Sequence, residues 1–268
     1  MEIPANRFKL ALSKGSTQFG LWLGIPDNSV AEIAAGAGFD WLLIDHEHGA
    51  FELHNVLSHL QAIAPYSVAP IVRPVNDDPA LLKKLLDIGV QSFLIPMVDT
   101  ADQASELVQS VRYPPAGKRG LGTSMARAAR WNQVPGYMHS ANEEICLIIQ
   151  VETVSAMVNL NAILTVEGVD GVFIGPSDLS ASMGHIGNAD HPEVVEAVTN
   201  GLRAIRAANK HAGVLCLDPA LFDAYVDAGA NFVGVGVDTL ILSTGAASLA
   251  KRFKAPGSNE EQPSQADY

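Results

Sequence analysis

Residues 41–49 read Trp41-Leu42-Leu43-Ile44-Asp45-His46-Glu47-His48-Gly49, an apolar run that ends in four consecutive ionisable side chains. The apolar run, residues 39–44, has the length and composition of a strand that is covered on both faces, as in a parallel sheet. The acids and imidazoles stand at the carboxyl end of that strand. We interpret the stretch as a strand that delivers reactive side chains to a cleft.

Short apolar runs of the same kind recur along the chain, and helical patterns separate them. The predicted strands are 18–24, 39–44, 69–73, 92–97, 145–151, 169–174, 213–217 and 231–235. Eight strands that alternate with helices predict a (β/α)8 barrel. A doubly wound sheet is the main rival, but residues 24–27 do not supply its Gly-x-Gly-x-x-Gly turn. We expect residues 1–253 to form one barrel domain and 254–268 to form a disordered tail.

The composition argues against nucleic acid and membrane partners. The formal net charge is −12 and no segment is rich in Lys or Arg, so a phosphate backbone or an anionic membrane surface is a poor match. The amino end lacks an apolar signal core, and no run approaches the roughly 18 apolar residues of a membrane span. Cys146 and Cys216 lie in apolar runs and suit buried, reduced thiols. We expect a cytoplasmic protein.

Polar side chains follow several of the predicted strands. In a (β/α)8 barrel the active site forms at the carboxyl ends of the strands, so these side chains are the candidates for chemistry. They are Asp45, His46, Glu47 and His48 after strand two, Arg73 after strand three, Gln150 and Glu152 after strand five, and Ser177 and Asp178 after strand six.

Glu152 and Asp178 carry a metal hypothesis. Two carboxylates at the ends of adjacent parallel strands make an oxygen-rich site that suits an octahedral ion such as Mg²⁺ or Mn²⁺. The alternative is that each carboxylate only caps the helix that follows it. Spacing alone does not choose between the two.

Arg73 and His48 also have two interpretations each. Arg73 is either part of a surface ion pair or directed at a carboxylate or oxyanion, and its position at a strand end favours the second. His48 is either a hydrogen-bonded loop histidine or a general acid or base. The neighbouring Asp45 and Glu47 favour the second, because they can orient an imidazole or hold metal-bound waters.

Other chemistries lack the residues that they need. A Schiff-base aldolase needs a lysine at a strand end, and all eight lysines fall in predicted helices, loops or termini. His54 and His59 do not have the spacing of a zincin pair, and neither cysteine has a partner at zinc-site spacing, which argues against a structural zinc. The glycine-rich segment 234–238 is either a cradle for a phosphate or carboxylate or a site of close packing.

Several motifs, in order along the chain, resemble those of one enzyme family. They are Gly20-Leu21-Trp22-Leu23-Gly24, Asp45-x-Glu47-His48, Val72-Arg73-Pro74, Arg112-Tyr113-Pro114-Pro115-x-Gly117-x-Arg119-Gly120, Gln150-Val151-Glu152 and Gly171-Val172-Phe173-Ile174-Gly175-Pro176-Ser177-Asp178-Leu179-Ser180. Over residues 7–253 the chain resembles the metal-dependent pyruvate aldolases typified by 4-hydroxy-2-oxoheptanedioate aldolase. The family is similar to 2-keto-3-deoxy-L-rhamnonate aldolase and, more distantly, to the citrate lyase β-subunit group.

The resemblance implies a fold, an assembly and a reaction. It implies a (β/α)8 barrel assembled as a homo-hexamer of three dimers, in which the last helix is exchanged between partners. It also implies class II aldol chemistry with Mg²⁺, Mn²⁺ or Co²⁺, in which a 4-hydroxy-2-oxo acid is reversibly cleaved to pyruvate, or a related 2-oxo acid such as hydroxypyruvate, and an aldehyde.

The resemblance also implies residues for the metal and for pyruvate. By the family pattern Glu152 and Asp178 bind the divalent ion. Gln150 and the backbone N–H groups near Ser177 and Asp178 hold pyruvate. Trp22, from the first of the matching motifs, belongs to the substrate site.

The implied catalytic group consists of Arg73, His48, Asp45, Glu47 and Asp87. Arg73 stabilises the negative charge formed when the C3–C4 bond breaks, and His48 moves the proton of the C4 hydroxyl. Asp87 matches the partner of the catalytic histidine. Because barrel helices run opposite to the strands, Asp87 should lie at the other face of its own barrel. We therefore expect it to reach His48 only across a subunit contact.

Two features concern the aldehyde. The family usually has a small residue, commonly glycine, where this chain has His46, whose imidazole either narrows the aldehyde pocket or points to solvent. The 119–131 connection, with Arg127 and Arg130, either contributes to binding an acidic aldehyde or is solvated surface.

Two competing functions remain. A CoA-thioester or citramalyl-type lyase on the same barrel would need a basic nucleotide-binding surface. A non-catalytic barrel would show gaps among the strand-end residues, and the sequence shows none.

Overall fold

Eight parallel strands close into a barrel in the computed structural model, which describes residues 3–254. The strands, β1 to β8, are Gln18–Leu23, Trp41–Asp45, Ala69–Arg73, Ser92–Ile95, Cys146–Val151, Gly171–Ile174, His211–Leu215 and Phe232–Val237. Each pairs in parallel with its sequence neighbours, and β8 closes onto β1. The predicted (β/α)8 fold is confirmed, and the doubly wound sheet is wrong.

Helices cover the outside of the barrel. The α-helices among the described residues, α1 to α11, are Arg7–Ser13, Asn28–Gly36, Leu53–Ile63, Pro79–Ile88, Ala101–Val111, Tyr137–Ser140, Val154–Leu164, Pro176–Ser182, Pro192–Ala207, Pro219–Asp227 and Asp238–Lys254. One 3-10 turn, Arg127–Ala129, lies in the long connection between α5 and β5. Because each crossover helix runs back along the barrel, all strand carboxyl ends meet at one end of the molecule.

Local sequence explains where several helices begin and end. The Asp78 side chain accepts a hydrogen bond from the Ala80 N–H at the start of α4, and Pro79 occupies the first turn, where no N–H is needed. Gly89 ends the same helix with φ 107°, a left-handed conformation that favours glycine. These residues fix the length of α4 and the start of β4.

The barrel interior is filled with aromatic side chains. Trp41 contacts Trp22 with ring centroids 5.6 Å apart, and Phe173 lies 5.9 Å from Phe232. Phe8 of α1 closes the amino-terminal end of the barrel, with its ring 5.7 Å from that of Phe232. Alternation along the strands directs these side chains inward, together with aliphatic ones such as Leu43, Ile71 and Ile148, and directs the other aliphatic side chains outward, against the helices. The carboxyl-terminal end of the barrel, where the candidate reactive side chains lie, therefore packs on a filled, apolar interior.

Some boundaries differ from the predicted ones. Strand β4 stops at Ile95, because the backbone turns into a left-handed conformation at Met97, with φ 57°. Helix α11 continues through Lys254, and the expected tail beyond it lies outside the described residues. Within residues 3–254 no helix is both long and apolar enough to cross a bilayer.

Candidate active site

Asp45 and Arg73 form the buried centre of the site. They are register partners at the ends of β2 and β3, so their side chains emerge side by side. The Arg73 Nε donates to Asp45 Oδ1 at 2.9 Å, and Nη2 donates to Oδ2 at 2.6 Å. Burial opposes the charge of the guanidinium, but the hydrogen bond and charge of Asp45 outweigh it and raise the pKa of Arg73. This two-point contact fixes the plane of the guanidinium.

Glu47 is the second acid beside Arg73. Its Oε2 lies 3.0 Å from Arg73 Nε. The backbone N–H groups of Glu47 and His48 both donate to Asp45 Oδ1, so the Asp45 carboxylate also shapes the turn after β2. Burial raises the pKa of Glu47, and the charge of Arg73 only partly offsets it. The alternative interpretation of Arg73 as part of a surface ion pair is wrong, because Arg73 is only 7% exposed.

His48 lies at the mouth of the barrel. Its side chain is 69% exposed, and its Nε2 lies 3.7 Å from Glu47 Oε2. Because that distance exceeds a hydrogen bond, Glu47 does not fix the orientation of the His48 ring. His48 is accessible to a substrate that enters from solvent.

Glu152 is a buried carboxylate at the end of β5. Its Oε1 accepts a 2.8 Å hydrogen bond from the Met97 N–H, and its Oε2 accepts one from Gln150 Nε2. It is 2% exposed, and burial raises its pKa to about 7 despite these two bonds. The negative charges of Asp178 and Glu47 act in the same direction as burial. Near neutral pH, burial therefore favours partial protonation of this carboxyl.

Asp178 stands opposite Glu152, in the first turn of α8. Gly175 is the N-cap of that helix. Because glycine has no side chain, no capping side chain accepts a hydrogen bond from the first backbone N–H groups of the helix, near Ser177. A Cβ at Gly175 would lie 2.7 Å from Glu152 Oε2. Glycine is needed here because the backbone approaches the carboxylate so closely.

The capping interpretations of the two acids are wrong. The N-cap of α7 is Thr153, whose side chain accepts from the Ala156 N–H, so Glu152 does not cap that helix. Asp178 lies inside α8 rather than at its N-cap. The carboxylates are thus free for another role.

The acids fit a divalent cation. Among residues 3–254, neither Glu152 nor Asp178 forms a salt bridge, although Arg73 neutralises the neighbouring Asp45 and Glu47. The Gln150 Oε1 is buried and has no hydrogen-bond partner within the same residues. Two carboxylates and an unpaired carbonyl oxygen are the donors that Mg²⁺ and Mn²⁺ prefer. A cation here would offset the repulsion from Asp178 and Glu47, which adds to the effect of burial on the pKa of Glu152.

Trp22 and His46 lie beside this centre. Trp22 is 4% exposed and belongs to the barrel interior, with its ring 5.9 Å from Arg73 Cζ. It therefore packs under the guanidinium. His46 is half-buried, and its Nδ1 has no hydrogen-bond partner among the described residues. Burial lowers the pKa of His46, so the ring is not simply directed into solvent.

Asp87 does not join the site within one chain. It lies near the end of α4, at the opposite end of the barrel from His48, and its Oδ1 lies 3.2 Å from Arg119 Nη2. Arg119 is buried and stacks on Tyr113 at 4.2 Å. Arg127 in the same connection donates to the carbonyl of Ile88. The 119–131 connection therefore lies at the amino-terminal end of its own barrel.

The glycine-rich segment 234–238 is a packing site. It belongs largely to β8, and a Cβ at Gly236 would meet Leu21 at 3.0 Å. Asp238 accepts hydrogen bonds from the N–H groups of Gly24 and Ile25, at 2.8 and 3.0 Å. The segment thus packs between β8 and β1 and closes the barrel there.

Sequence reasoning missed two contributions. The Met97 N–H donates to Glu152 and positions its carboxylate. This hydrogen bond depends on the left-handed backbone of Met97, which cannot be predicted from a methionine in the sequence. Gly175 makes room for the Glu152 carboxylate, and its only sequence signal was its place between a strand and Pro176.

Comparisons with known proteins agree on one family. The pattern that defines the HpcH/HpaI aldolase/citrate lyase family matches residues 18–244. The hydroxypyruvate/pyruvate aldolase of Pseudomonas aeruginosa is 55% identical over 254 residues, which is 95% of each chain. The 4-hydroxy-2-oxo-heptane-1,7-dioate aldolase of Salmonella heidelberg is 55% identical over 250 residues, 93% of this chain and 95% of the relative.

A solved structure supports the same grouping. The crystal structure of a HpcH/HpaI aldolase/citrate lyase family protein from Burkholderia cenocepacia superposes with a TM-score of 0.88 and 34% identity. The match covers 94% of this chain and 100% of that one.

Proposed function

Since the chain belongs to the HpcH/HpaI aldolase/citrate lyase family, we propose that it is a metal-dependent aldolase. The proposed reaction reversibly cleaves a 4-hydroxy-2-oxo acid to an aldehyde and pyruvate, or a related 2-oxo acid such as hydroxypyruvate. The names of the two relatives that are 55% identical support this reaction type.

One observation carries the proposal: the buried Glu152 and the exposed Asp178, neither of which forms a salt bridge among residues 3–254, stand beside a fixed guanidinium. Glu152 and Asp178 would hold the divalent ion, with Mg²⁺, Mn²⁺ and Co²⁺ as the candidates. When bound, the ion supplies positive charge that polarises the 2-oxo group of the substrate. Because Gly175 has no Cβ, the Glu152 carboxylate has the space that it needs to point toward the ion.

Substrate is held next to these acids in the proposed complex. The carboxylate of the 2-oxo acid would accept hydrogen bonds from backbone N–H groups near Ser177 and Asp178, at the start of α8. The Gln150 amide would contact the same molecule from β5. Trp22 supports this site from below, because its ring limits where Arg73 can lie.

Arg73 would stabilise the charge that develops during cleavage. As the C3–C4 bond breaks, its electron pair moves to C3 and to the 2-oxo oxygen. A guanidinium that is already oriented by Asp45 and Glu47 does not have to reorganise when this charge appears. That is the physical advantage of the buried ion pair.

His48 would take the proton of the C4 hydroxyl during cleavage, and C3 of the resulting enolate would take a proton from solvent to give the 2-oxo acid; both transfers reverse during condensation. The exposed position of His48 suits a group that meets the aldehyde portion of the substrate. Glu47 lies nearby but does not fix the ring, since its Oε2 is 3.7 Å from His48 Nε2. We propose that Asp87 of a partner subunit completes the orientation of His48.

Assembly is part of the proposal. The large apolar side chains of α11, among them Leu240, Ile241, Leu242, Leu249 and Phe253, are exposed in the single chain. An exposed apolar face of this kind marks an interface. We propose a homo-hexamer of three dimers in which α11 is exchanged, working in the cytoplasm, where Cys146 and Cys216 stay reduced.

The alternatives have less support. A CoA-thioester or citramalyl-type lyase would need a basic surface for the nucleotide, whereas the chain has a net charge of −12. A non-catalytic barrel is disfavoured because the strand-end acids and Arg73 converge in one place.

Metal depletion and readdition test the function. The protein is stripped with a chelator, dialysed, and assayed for pyruvate release from 4-hydroxy-2-oxo acids with Mg²⁺, Mn²⁺ or Co²⁺ restored. We expect activity to vanish on depletion and to return with at least one ion. Activity that is indifferent to metal would overturn the mechanism. A panel of aldehydes with pyruvate and hydroxypyruvate then identifies the acceptor.

A further inference from the structure

A second group of potential metal ligands lies apart from the candidate active site. His185 follows α8, His191 is the N-cap of α9, and Glu193 lies in the first turn of α9. One ligand atom from each of these three side chains lies within 4.8 Å of the others. We propose that this His185–His191–Glu193 cluster binds a borderline divalent cation, with Zn²⁺ as its representative.

The local backbone already brings the three side chains together. The His185 N–H donates to the Ser180 carbonyl at 2.7 Å, which fixes the residue after α8. The His191 N–H donates to the Asn188 carbonyl at 3.2 Å, so a short hydrogen-bonded connection joins the two histidines. A preformed connection of this kind lowers the ordering cost of ligand binding.

The side chains also contact one another. The rings of His185 and His191 stack with centroids 3.6 Å apart and planes inclined by 15°. His185 Nε2 lies 2.8 Å from Glu193 Oε2. The stacked rings thus place a nitrogen of each histidine within 4.8 Å of a Glu193 carboxylate oxygen. Neutral imidazole is the form that binds metals.

Only small movements are needed to surround an ion. Ligand atoms around a tetrahedral zinc are roughly 3.4 Å apart, given zinc-to-nitrogen and zinc-to-oxygen distances near 2.1 Å. Glu193 is 69% exposed and can rotate freely to shorten its separation from the rings. The bond from the Glu193 N–H to His191 Nδ1 is long, at 3.3 Å, so little is lost if that ring turns. The remaining coordination position would face water.

The ligand types separate this cluster from the candidate active site. Two imidazoles and one carboxylate suit Zn²⁺, Cu²⁺, Ni²⁺ or Co²⁺, whereas Glu152 and Asp178 offer only oxygen and suit Mg²⁺ or Mn²⁺. The sequence analysis argued against zinc from His54, His59 and the cysteines. Folding brings together His185, His191 and Glu193. The histidines are six residues apart, a spacing found neither in the zincin pair nor in cysteine zinc sites.

A bound ion would link the end of α8 to the start of α9. The connection between these helices also lines a cavity of about 270 Å³ through Gly187, Ala189 and Asp190, and Ser177 lies on the same cavity wall. The cluster therefore anchors a segment next to the proposed substrate site. We expect zinc to raise the melting temperature by about 5 °C at a hundredfold excess over its dissociation constant.

Zinc counting tests the proposal. Tag-free protein is stripped with chelator, equilibrated with Zn²⁺, freed of unbound ion by gel filtration, and its zinc content is measured per chain. We expect the double variant His185→Ala/His191→Ala to retain one zinc ion fewer per chain than wild type. The matched control is His139→Ala, which removes an exposed histidine elsewhere and should keep the full count.

Two further variants make the result decisive. Glu193→Gln keeps a hydrogen-bonding side chain near His185 but loses the anionic ligand, and should weaken zinc binding about tenfold or more. Glu152→Gln alters the other site, so the loss of one zinc ion caused by the double histidine substitution should be the same in its presence. Equal zinc contents in the double histidine variant, the His139→Ala control and wild type would overturn the proposal, whatever the aldolase assay shows.

Discussion

At the scale of single residues, Arg73 combines three contacts that no other cation can make in the same geometry. Its Nε and Nη2 donate to both oxygens of Asp45, and Nε also lies 3.0 Å from Glu47. A lysine has the charge but not the planar fork. The orientation of the charge, rather than its presence, is therefore what Arg73 contributes.

We predict that Arg73→Lys lowers kcat roughly 100-fold to 1000-fold, the usual cost of losing an oriented donor to a developing oxyanion. Steady-state kinetics with a 4-hydroxy-2-oxo acid measure the change. The control is Arg203→Lys, an exposed arginine of α9, which should leave kcat unaltered. Wild-type kcat in Arg73→Lys would show that charge alone is sufficient.

Glu152 makes the stability of the metal-free protein depend on pH. The folded chain keeps the Glu152 proton up to about pH 7, whereas the unfolded chain releases it near the ordinary pKa of 4.5. Between these values the folded state binds more protons, so the free energy of unfolding falls as pH rises and levels off above pH 7.

The substitution Glu152→Gln should remove this decrease in the free energy of unfolding with rising pH. We expect the variant to gain stability relative to wild type between pH 4.5 and about 7, by up to roughly 3 kcal/mol. Urea unfolding of chelator-treated protein at several pH values measures it. Glu196→Gln, at an exposed position in α9, is the matched control. A stability difference that does not vary with pH would contradict the raised pKa.

At the scale of elements, the turn between β6 and α8 requires a residue without a side chain at Gly175. The φ of Gly175 is −92°, which any residue can adopt, so the backbone does not require glycine. The requirement is spatial, since a Cβ would lie 2.7 Å from Glu152 Oε2 and 3.0 Å from Gln150 Nε2.

Gly175→Ala should therefore displace the Glu152 carboxylate without unfolding the barrel. We predict that the Mg²⁺ concentration for half-maximal activity rises about tenfold or more. Metal titrations of the aldolase reaction measure this. Gly36→Ala is the control, because its new Cβ would make only an ordinary 3.8 Å contact with Tyr66. Identical titration curves for both variants would contradict the steric argument.

The strands and helices could be predicted from the sequence, but the side-chain contacts between residues at the strand ends could not. Apolar runs and Gly or Pro stops predict strands and helices because burial and backbone conformation are local properties. The pairing of Asp45 with Arg73 depends on the register of β2 against β3, which no single strand encodes. Likewise, Met97 leaves the strand conformation because its N–H binds Glu152, a residue far along the chain. The roles of these residues in catalysis stay predictions.

At the scale of the whole molecule, one chain separates groups that the proposed chemistry needs together. His48 stands at the carboxyl-terminal end of the barrel strands, and Asp87 lies at the other end beside Arg119. A barrel cannot bring its two ends together, so contact between these residues requires a second subunit. The proposed assembly would supply it by placing the α4 end of one chain over the mouth of another.

Mixed oligomers can measure this directly. Subunits with His48→Ala and subunits with Asp87→Ala are each expected to be nearly inactive alone. If His48 and Asp87 act across the contact, a mixed pair contains one site with both residues intact and one with neither. Random pairing of equal amounts should then restore roughly a quarter of wild-type activity. Co-expression with two different tags, followed by sequential affinity steps, isolates the mixed pairs, in which one site of two is intact, so their expected activity is roughly half of wild type. Activity that stays at the level of the separate variants would mean that Asp87 serves only its own chain, as the partner of Arg119.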